Sequence, residues 1–426
     1  MVKLGKIWVA ILLILCLWIT GCGSGTPTDS NVTHLTLWHG INPPPNREVF
    51  QELVDRFNSS HEEIEVEALY IGQTDQQLPK ILTAVIGDAP PDILWYLPMF
   101  TGQLVELGAL RPLEDWFNQS PVKENLDPTL LETMRWNDHL WSIPMATNNL
   151  GLFYRTSLLR EAGIIELPQT WEELREAARK LTQDKDGDGT PDQYGMFLPL
   201  GKGEWTVFSW LPFLFNAGGE LVEEGKPQLV TEDAIAALQF WSNLLKDGSA
   251  LLSQPERGYE QTNFIEGRVA MQLTGPWTLG FLPETPVGDD FGVMPIPYQD
   301  HPATVIGGEN LFVMKTTPQR EKAALTFLEY VLSEEFQTQW SLGTGYLPVN
   351  LQARQSKTYQ DYVSQQPVLE VFLSQMEVGH SRPIIPGYAR ISNQLGRAIE
   401  ASLLGTPPKK ALSESQQRLN LLWDTH

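Results

Sequence analysis

From residue 33 onward the chain switches between two hydrophobic rhythms. In HLTLWH, Leu35 and Leu37 alternate with polar neighbours, the two-residue period of a strand. The turn GINPPP ends it, and Asn46 is placed to cap a helix with Val49, Phe50, Leu53, Val54 and Phe57 on one face. Ile64, Val66, Ala68 and Tyr70 alternate along a second strand, and Leu78, Ile81, Leu82 and Val85 stripe a second helix. After Pro90 and Pro91, DILWYL reads as a third strand. Strand–helix–strand–helix–strand predicts an α/β fold, a mainly parallel sheet covered by helices.

The alternation continues. Thr170 to Glu173 is a capping box opening a helix through Leu181, and Thr231 caps another that faces Ile235, Leu238 and Leu245 inward. VAMQL and NLFVM are short strands. Residues 317–340 read as mostly helical, as do 391–404 and 410–422. No internal repeat interrupts the pattern. A chain of 426 residues exceeds what one hydrophobic core serves, so two lobes are expected.

The N-terminus follows neither rhythm. Lys3 and Lys6 precede an apolar run, Ile7 to Ile19, too short to cross a hydrocarbon core of ~30 Å, so residues 1–21 read as a secretory signal. Its end, Ile19-Thr20-Gly21-Cys22, resembles a bacterial lipobox. That implies cleavage before Cys22 and lipidation of its thiol; an ordinary signal peptide with a chance cysteine is the alternative. Cys16 falls inside the leader, so the mature chain would carry neither free thiol nor disulfide. Residues 22–32 form a polar tether.

Charge narrows the ligand class. The formal net charge is −22, which argues against nucleic acid and a basic membrane-binding face, and disfavours a polyanionic ligand. The 14 Trp, 11 Tyr and 17 Phe are informative because several sit in loops following strands, where open α/β sheets bind ligands. These loops offer Trp38, Thr74, Asp75, Trp95, Gly275 and Trp277, with Gly308, Glu309 and Asn310 before a strand. Rings cover the C–H faces of a sugar while amides and carboxylates bond its hydroxyls, so the mix suits a neutral polyhydroxylated ligand. Each aromatic has a bland alternative. Trp277 packs under its turn, and Trp38 and Trp95 point into their own lobe. Of Trp205 and Trp210, five residues apart, one is expected to reach the cleft and one to pack. His39 reads as a satisfied strand-end histidine. Asp184, Asp186, Asp188 and Asp192 match the start of a calcium loop, but Gly195 stands where an EF-hand needs its bidentate Glu. A structural calcium and a surface loop of Asx turns both remain open there. No other cofactor is expected.

PMATNNLGLFY, residues 144–154, followed by Leu158 and Leu159, resembles the signature of the bacterial extracellular solute-binding proteins, family 1, the sugar-binding components of ABC importers. The family usually has Asn or Asp after the tyrosine; this chain has Arg155. GDAPPDILWY, FIEGRVAMQLTGPW, FGVMPIP, VIGGENLFV and TGYLPVN agree in order, and WHG, IGG and TGYLP are similar to the glycerol-3-phosphate-binding branch. That branch's contacts would fall on Thr74, Leu97, Thr147 or Asn148, Gly275 or Pro276, Gly307 or Gly308, Tyr346 and Arg390. Tyr and Glu stand in the branch where this chain has Thr74 and Leu97, so the resemblance speaks to the cleft more than to the headgroup.

The resemblance implies a two-lobed periplasmic-binding-protein fold of type II. Residues 33–145 plus 297–345 would form one lobe and 146–296 plus 346–426 the other, with crossings near Met145–Ala146, Gly292–Pro297 and Gly343–Asn350. It implies a monomeric lipoprotein, anchored outside the cytoplasm, that captures a sugar, oligosaccharide or glycosylated polyol without chemistry and passes it to ABC permease subunits. Arg382 and Arg390 would bond ligand oxygens or form ion pairs. The alternatives are a glycerol-3-phosphate or glycerophosphodiester receptor, a sensor feeding a membrane kinase, and a lipid-anchored glycoside hydrolase, which needs two carboxylates across a scissile bond.

Overall fold

The computed structural model describes residues 32–385 and 387–423. The leader, Cys22 and the tether through residue 31 lie outside them. Among the described residues, no helix is long and apolar enough to cross a membrane.

The first lobe is built on a five-stranded sheet in the order Ile64–Tyr70, Thr33–His39, Ile93–Tyr96, Asn310–Val313, Ser142–Pro144. The first three strands are parallel, in register from Thr33 opposite Ile64 to His39 opposite Tyr70. Asn310–Val313 returns antiparallel to its neighbours on both sides. Leu35 and Leu37 point to one face, where Phe50, Val54 and Phe57 of helix Pro44–Ser60 meet Phe327 and Trp340. Residues 317–340 divide where Ser333 accepts the Phe336 N–H, ending helix Pro318–Val331 and opening Glu334–Thr344.

The second lobe repeats the plan with strands ordered Ala250–Leu252, Tyr194–Leu198, Val269–Thr274, Gly151–Tyr154, Gly292–Met294. Helix Trp171–Leu181 opens on its capping box: the Thr170 hydroxyl accepts the Glu173 N–H and the Glu173 carboxylate accepts the Thr170 N–H. This helix lies so close to the sheet that a Cβ on Gly195 would stand 2.1 Å from the Ala178 carbonyl oxygen. Packing against this helix accounts for Gly195. Helix Glu204–Asn216 is apolar all round and runs through the lobe's interior; Trp205 alone escapes full burial. Arg155, at the signature's departure, clamps Asp290 (2.7 Å), which also takes the Thr156 and Ser157 hydroxyls and the Ser157 N–H. These bonds outweigh partial burial and hold the Asp290 carboxyl well below the usual range.

Three segments pass between the lobes and bond to one another. The Met145 N–H donates to the Glu309 carbonyl (3.1 Å), and Thr147 and Leu347 exchange backbone bonds at 3.2 and 3.0 Å. Gly308 turns at φ +121°, and a Cβ there would lie 2.4 Å from the Ala146 carbonyl. The second crossing is therefore at Gly307–Gly308, not at Gly292–Pro297. Gly292–Met294 is an edge strand of the second lobe's sheet, and Ile296, Ala303 and Val305 pack in that lobe's core. Residues 297–307 accordingly run with the second lobe. Thr304–Gly307 pairs with Asn148–Asn149 and Gly379–Ser381 in a small sheet at the seam.

Asn46 departs from the expected cap. Helix Pro44–Ser60 begins two residues earlier without a side-chain cap, and fully buried Asn46 donates to the Trp277 carbonyl (3.2 Å) in the facing lobe. A proline start, already lacking the N–H that a cap would serve, frees that side chain for the longer reach.

Candidate functional site

The lobes face each other over an open cavity lined by residues of both. Trp95 at a strand end and the start of helix Thr74–Ile86 supply the first lobe's wall; Trp205, Phe208 and Trp277 supply the second's. Tyr346, on a crossing segment, closes one side with Gly308 and Glu309. Trp277 stands 6.0 Å from both Trp205 (edge-on) and Tyr346 (tilted), and packs against the cores of both lobes.

Sequence and structure coincide in placing Thr74, Asp75, Trp95, Asn148, Trp205, Trp277, Gly308, Glu309 and Tyr346 on this cavity. Trp205 reaches it while Trp210 is fully buried. Five expected residues stand elsewhere, each for a physical reason. Trp38 follows the strand's alternation to the face opposite His39, beneath helix Thr74–Ile86, beside Pro79 and Thr83. Asn310 is buried within its sheet, donating to the Thr133 carbonyl (2.9 Å) and the Ser142 hydroxyl (2.8 Å). Thr147 is buried at the hinge, its hydroxyl on the Gly307 carbonyl (3.3 Å). Gly275 lies behind Trp277: a Cβ there would come within 2.0 Å of the indole, so its role is to let that ring fold back. Arg390 donates to the Leu422 carbonyl (2.9 Å), joining the last two helices, and the cavity's arginine is Arg382. His39, buried with Nδ1 taking the Ile41 N–H, is pushed down to about 4 by burial and by Arg47, as befits a neutral structural ring.

Asn42, Gln73, Glu204, Phe208 and Tyr259 line the cavity without having been singled out by sequence. Glu204 is the consequential one. Its carboxylate takes Arg382 Nη1 (2.7 Å), the Tyr388 hydroxyl (2.7 Å) and the Ser392 hydroxyl. Arg382 also lies over the Phe208 ring at 4.6 Å. The one polar residue beginning an apolar helix next to a cavity tryptophan was the available signal.

The two remaining carboxylates are strained electrostatically. Glu309 is pushed up to about 7 by burial, against a partial pull from Arg382; what surface it shows faces the cavity. Asp75 is shifted upward by burial of its carboxyl and by Glu204 and Glu256, against the Glu204 N–H it accepts at 3.3 Å. An open state that lets water reach both groups would return them toward ~4, where free carboxyls titrate. Groups whose pKa is raised on closure hold protons that the open state gives up, so closure is favoured below that range and loses this help as pH rises toward 7. Scattering from the ligand-free protein should show a smaller radius of gyration at pH 5 than at pH 8; the reverse order would remove the coupling.

At the surface loop, carboxylate oxygens of Asp184, Asp186 and Asp188 lie within 4.8 Å of one another, all exposed. Asp184 accepts the Gly187 and Gly189 N–H groups and Asp188 that of Thr190, the bonding of successive Asx turns. Asp192 stands apart from that trio, taking the Lys185 N–H at 2.7 Å.

Residues 52–366 match the family model described as bacterial extracellular solute-binding protein. The chain belongs to that family. The sn-glycerol-3-phosphate-binding periplasmic protein of Yersinia enterocolitica is 25% identical, over 92% of each chain. A solved ABC transporter solute-binding protein from Thermotoga lettingae, bound with α-D-tagatose, is 25% identical with a TM-score of 0.80, covering 91% of this chain and 99% of that one. The cyclic α-maltosyl-1,6-maltose binding protein of Arthrobacter globiformis is 26% identical with a TM-score of 0.74, covering 92% and 98%. This solute-binding protein shares their two-lobed α/β architecture, and members of its family are transport receptors rather than enzymes.

Proposed function

We propose that this chain is the extracytoplasmic receptor of an ABC importer, held at the membrane by lipid on Cys22, which closes on a hydroxyl-rich carbohydrate or polyol and passes it unchanged to permease subunits. One observation carries the reading: rings from both lobes, Trp95 on one side and Trp205 and Trp277 on the other, face a common cavity among amides, carboxylates and a guanidinium. A ligand that bridges them binds the closed state better than the open one, which is the requirement for closure. A micromolar dissociation constant needs about 8 kcal/mol net.

Two alternatives fit the lining less well. A phosphate-bearing ligand would meet three carboxylates and one guanidinium, which is already paired with Glu204. A glycosidase needs an ionised carboxylate free to act opposite its acid. Glu204 has its oxygens engaged by three donors, and Asp75 and Glu309 are both pushed toward protonation. A thermal-shift panel of sugars, polyols and glycerol phosphates on the full chain, followed by scattering, tests the reading. A sugar or polyol should raise the melting temperature, compact the protein and be recovered intact by chromatography. Cleaved sugar, or a response to glycerol phosphate alone, would overturn it.

A further inference from the structure

We propose that the ligand carries a protonated amine, received by Glu309 and Asn148 beside the aromatic wall, with its hydroxylated remainder directed to the Trp205 and Arg382 side. The inference rests on the cavity's being a carbohydrate or polyol site, and it replaces the neutral ligand suggested by loop composition with a cationic one.

The argument begins with charge. Asp75, Glu204 and Glu309 line the cavity against a single cation, Arg382. Glu204 and Arg382 answer each other in a buried pair, at 8% and 3% side-chain exposure. Asp75 lies against the N-terminus of helix Glu204–Asn216, whose pole offsets a negative charge. Glu309 has no such answer. Apart from its own backbone N–H, no donor among the described residues reaches its carboxylate, and Arg382 acts on it only as a nearby charge. A neutral guest would seal Glu309 either ionised without a counter-charge, a costly arrangement, or carrying a proton, whereas a cationic guest lets it stay ionised. A cation removes the cost.

Unmatched hydrogen-bonding atoms divide the cavity in the same way. Asn148 is 3% exposed, and its Oδ1 has no partner. It lies beside Gly307, two residues before Glu309. Here the Glu309 carboxylate is an acceptor without a side-chain donor, which suits an ammonium group's three donors, beside the N–H groups of the Asn148 amide. Trp205 Nε1 and Arg382 Nε are buried donors without partners, and they suit hydroxyl oxygens, which accept as well as donate. Tyr346, whose hydroxyl feels the Glu309 charge, and Trp277 beside it present ring faces that attract a cation.

The test is calorimetry on the full chain at pH 7 with glucosamine, N-acetylglucosamine and glucose, and with the corresponding β-1,4-linked disaccharides. Free amines should bind at least tenfold more tightly than their acetylated and hydroxyl counterparts, and Glu309→Gln should narrow that gap to under threefold. Equal or tighter binding of the acetylated or hydroxyl forms by the wild-type protein overturns the amine while leaving the carbohydrate reading standing. An amine preference that survives Glu309→Gln unchanged overturns the assignment to Glu309. No binding by either series overturns the amine, and the thermal-shift panel then decides the carbohydrate reading by itself.

Discussion

Replacing Arg382 with methionine is expected to cost about 3–5 kcal/mol of folding stability, the range for breaking a buried ion pair from one side. Arg382 donates to Glu204 at 2.7 Å and covers the Phe208 ring. Its loss leaves the Glu204 carboxylate enclosed, with only the Tyr388 and Ser392 hydroxyls as partners. Tyr388 in turn packs edge-on against Phe100 of the first lobe at 6.0 Å, so the damage reaches the interface between lobes. Urea unfolding of the purified full chain measures the effect. The double variant Glu204→Gln/Arg382→Met should regain part of the loss, since no unpaired charge remains. A single variant within 1 kcal/mol of wild type would show that solvent reaches this pair.

Trp277→Ala should weaken ligand binding more than tenfold, about 1.4 kcal/mol or more. The indole faces the cavity and touches Trp205 and Tyr346, and its backbone carbonyl receives Asn46 from the other lobe. Removing the ring deletes a stacking surface and the indole's packing against both cores, while the backbone carbonyl that receives Asn46 stays. Trp277→Phe separates these roles: it keeps an aromatic face and should stay within a few-fold of wild type. Calorimetry with whichever sugar the thermal-shift panel selects provides the measurement. Wild-type affinity in the alanine variant would remove Trp277 from the site.

The alternation of strands and helices was legible because period two and period 3.6 are imposed locally, as at Leu35 and Leu37 or along Val49 to Phe57. Caps that bond their own helix were legible for the same reason: Thr170 and Thr231 act within their own turns. Asn46 was not, since its partner lies 231 positions away. Of the cavity's aromatic members, Trp95, Trp205, Trp277 and Tyr346 could be found because Gly and Pro mark the segments that present them; Phe208 and Tyr259 were missed. Which face of a strand turns to the ligand could not, and this moved Trp38 to the far side of its sheet. The crossing at Gly307–Gly308 was hidden by a rival: Gly292 and Pro297 have the composition of a hinge, whereas Gly292–Met294 is committed to an edge strand by its pairing with Gly151–Tyr154. Arg382 and Glu204, 178 positions apart, define one another only after folding.

The crossing segments run side by side and are tied to one another at Met145–Glu309 and Thr147–Leu347. Three tied strips behave as a ribbon, stiff against sliding in their own plane and compliant only to bending across it. The two halves of the molecule are thus left one angular coordinate. Guests of different length would be accommodated by different angles of the same bend, and whatever docks on the outside of the molecule can read the guest's size as an angle.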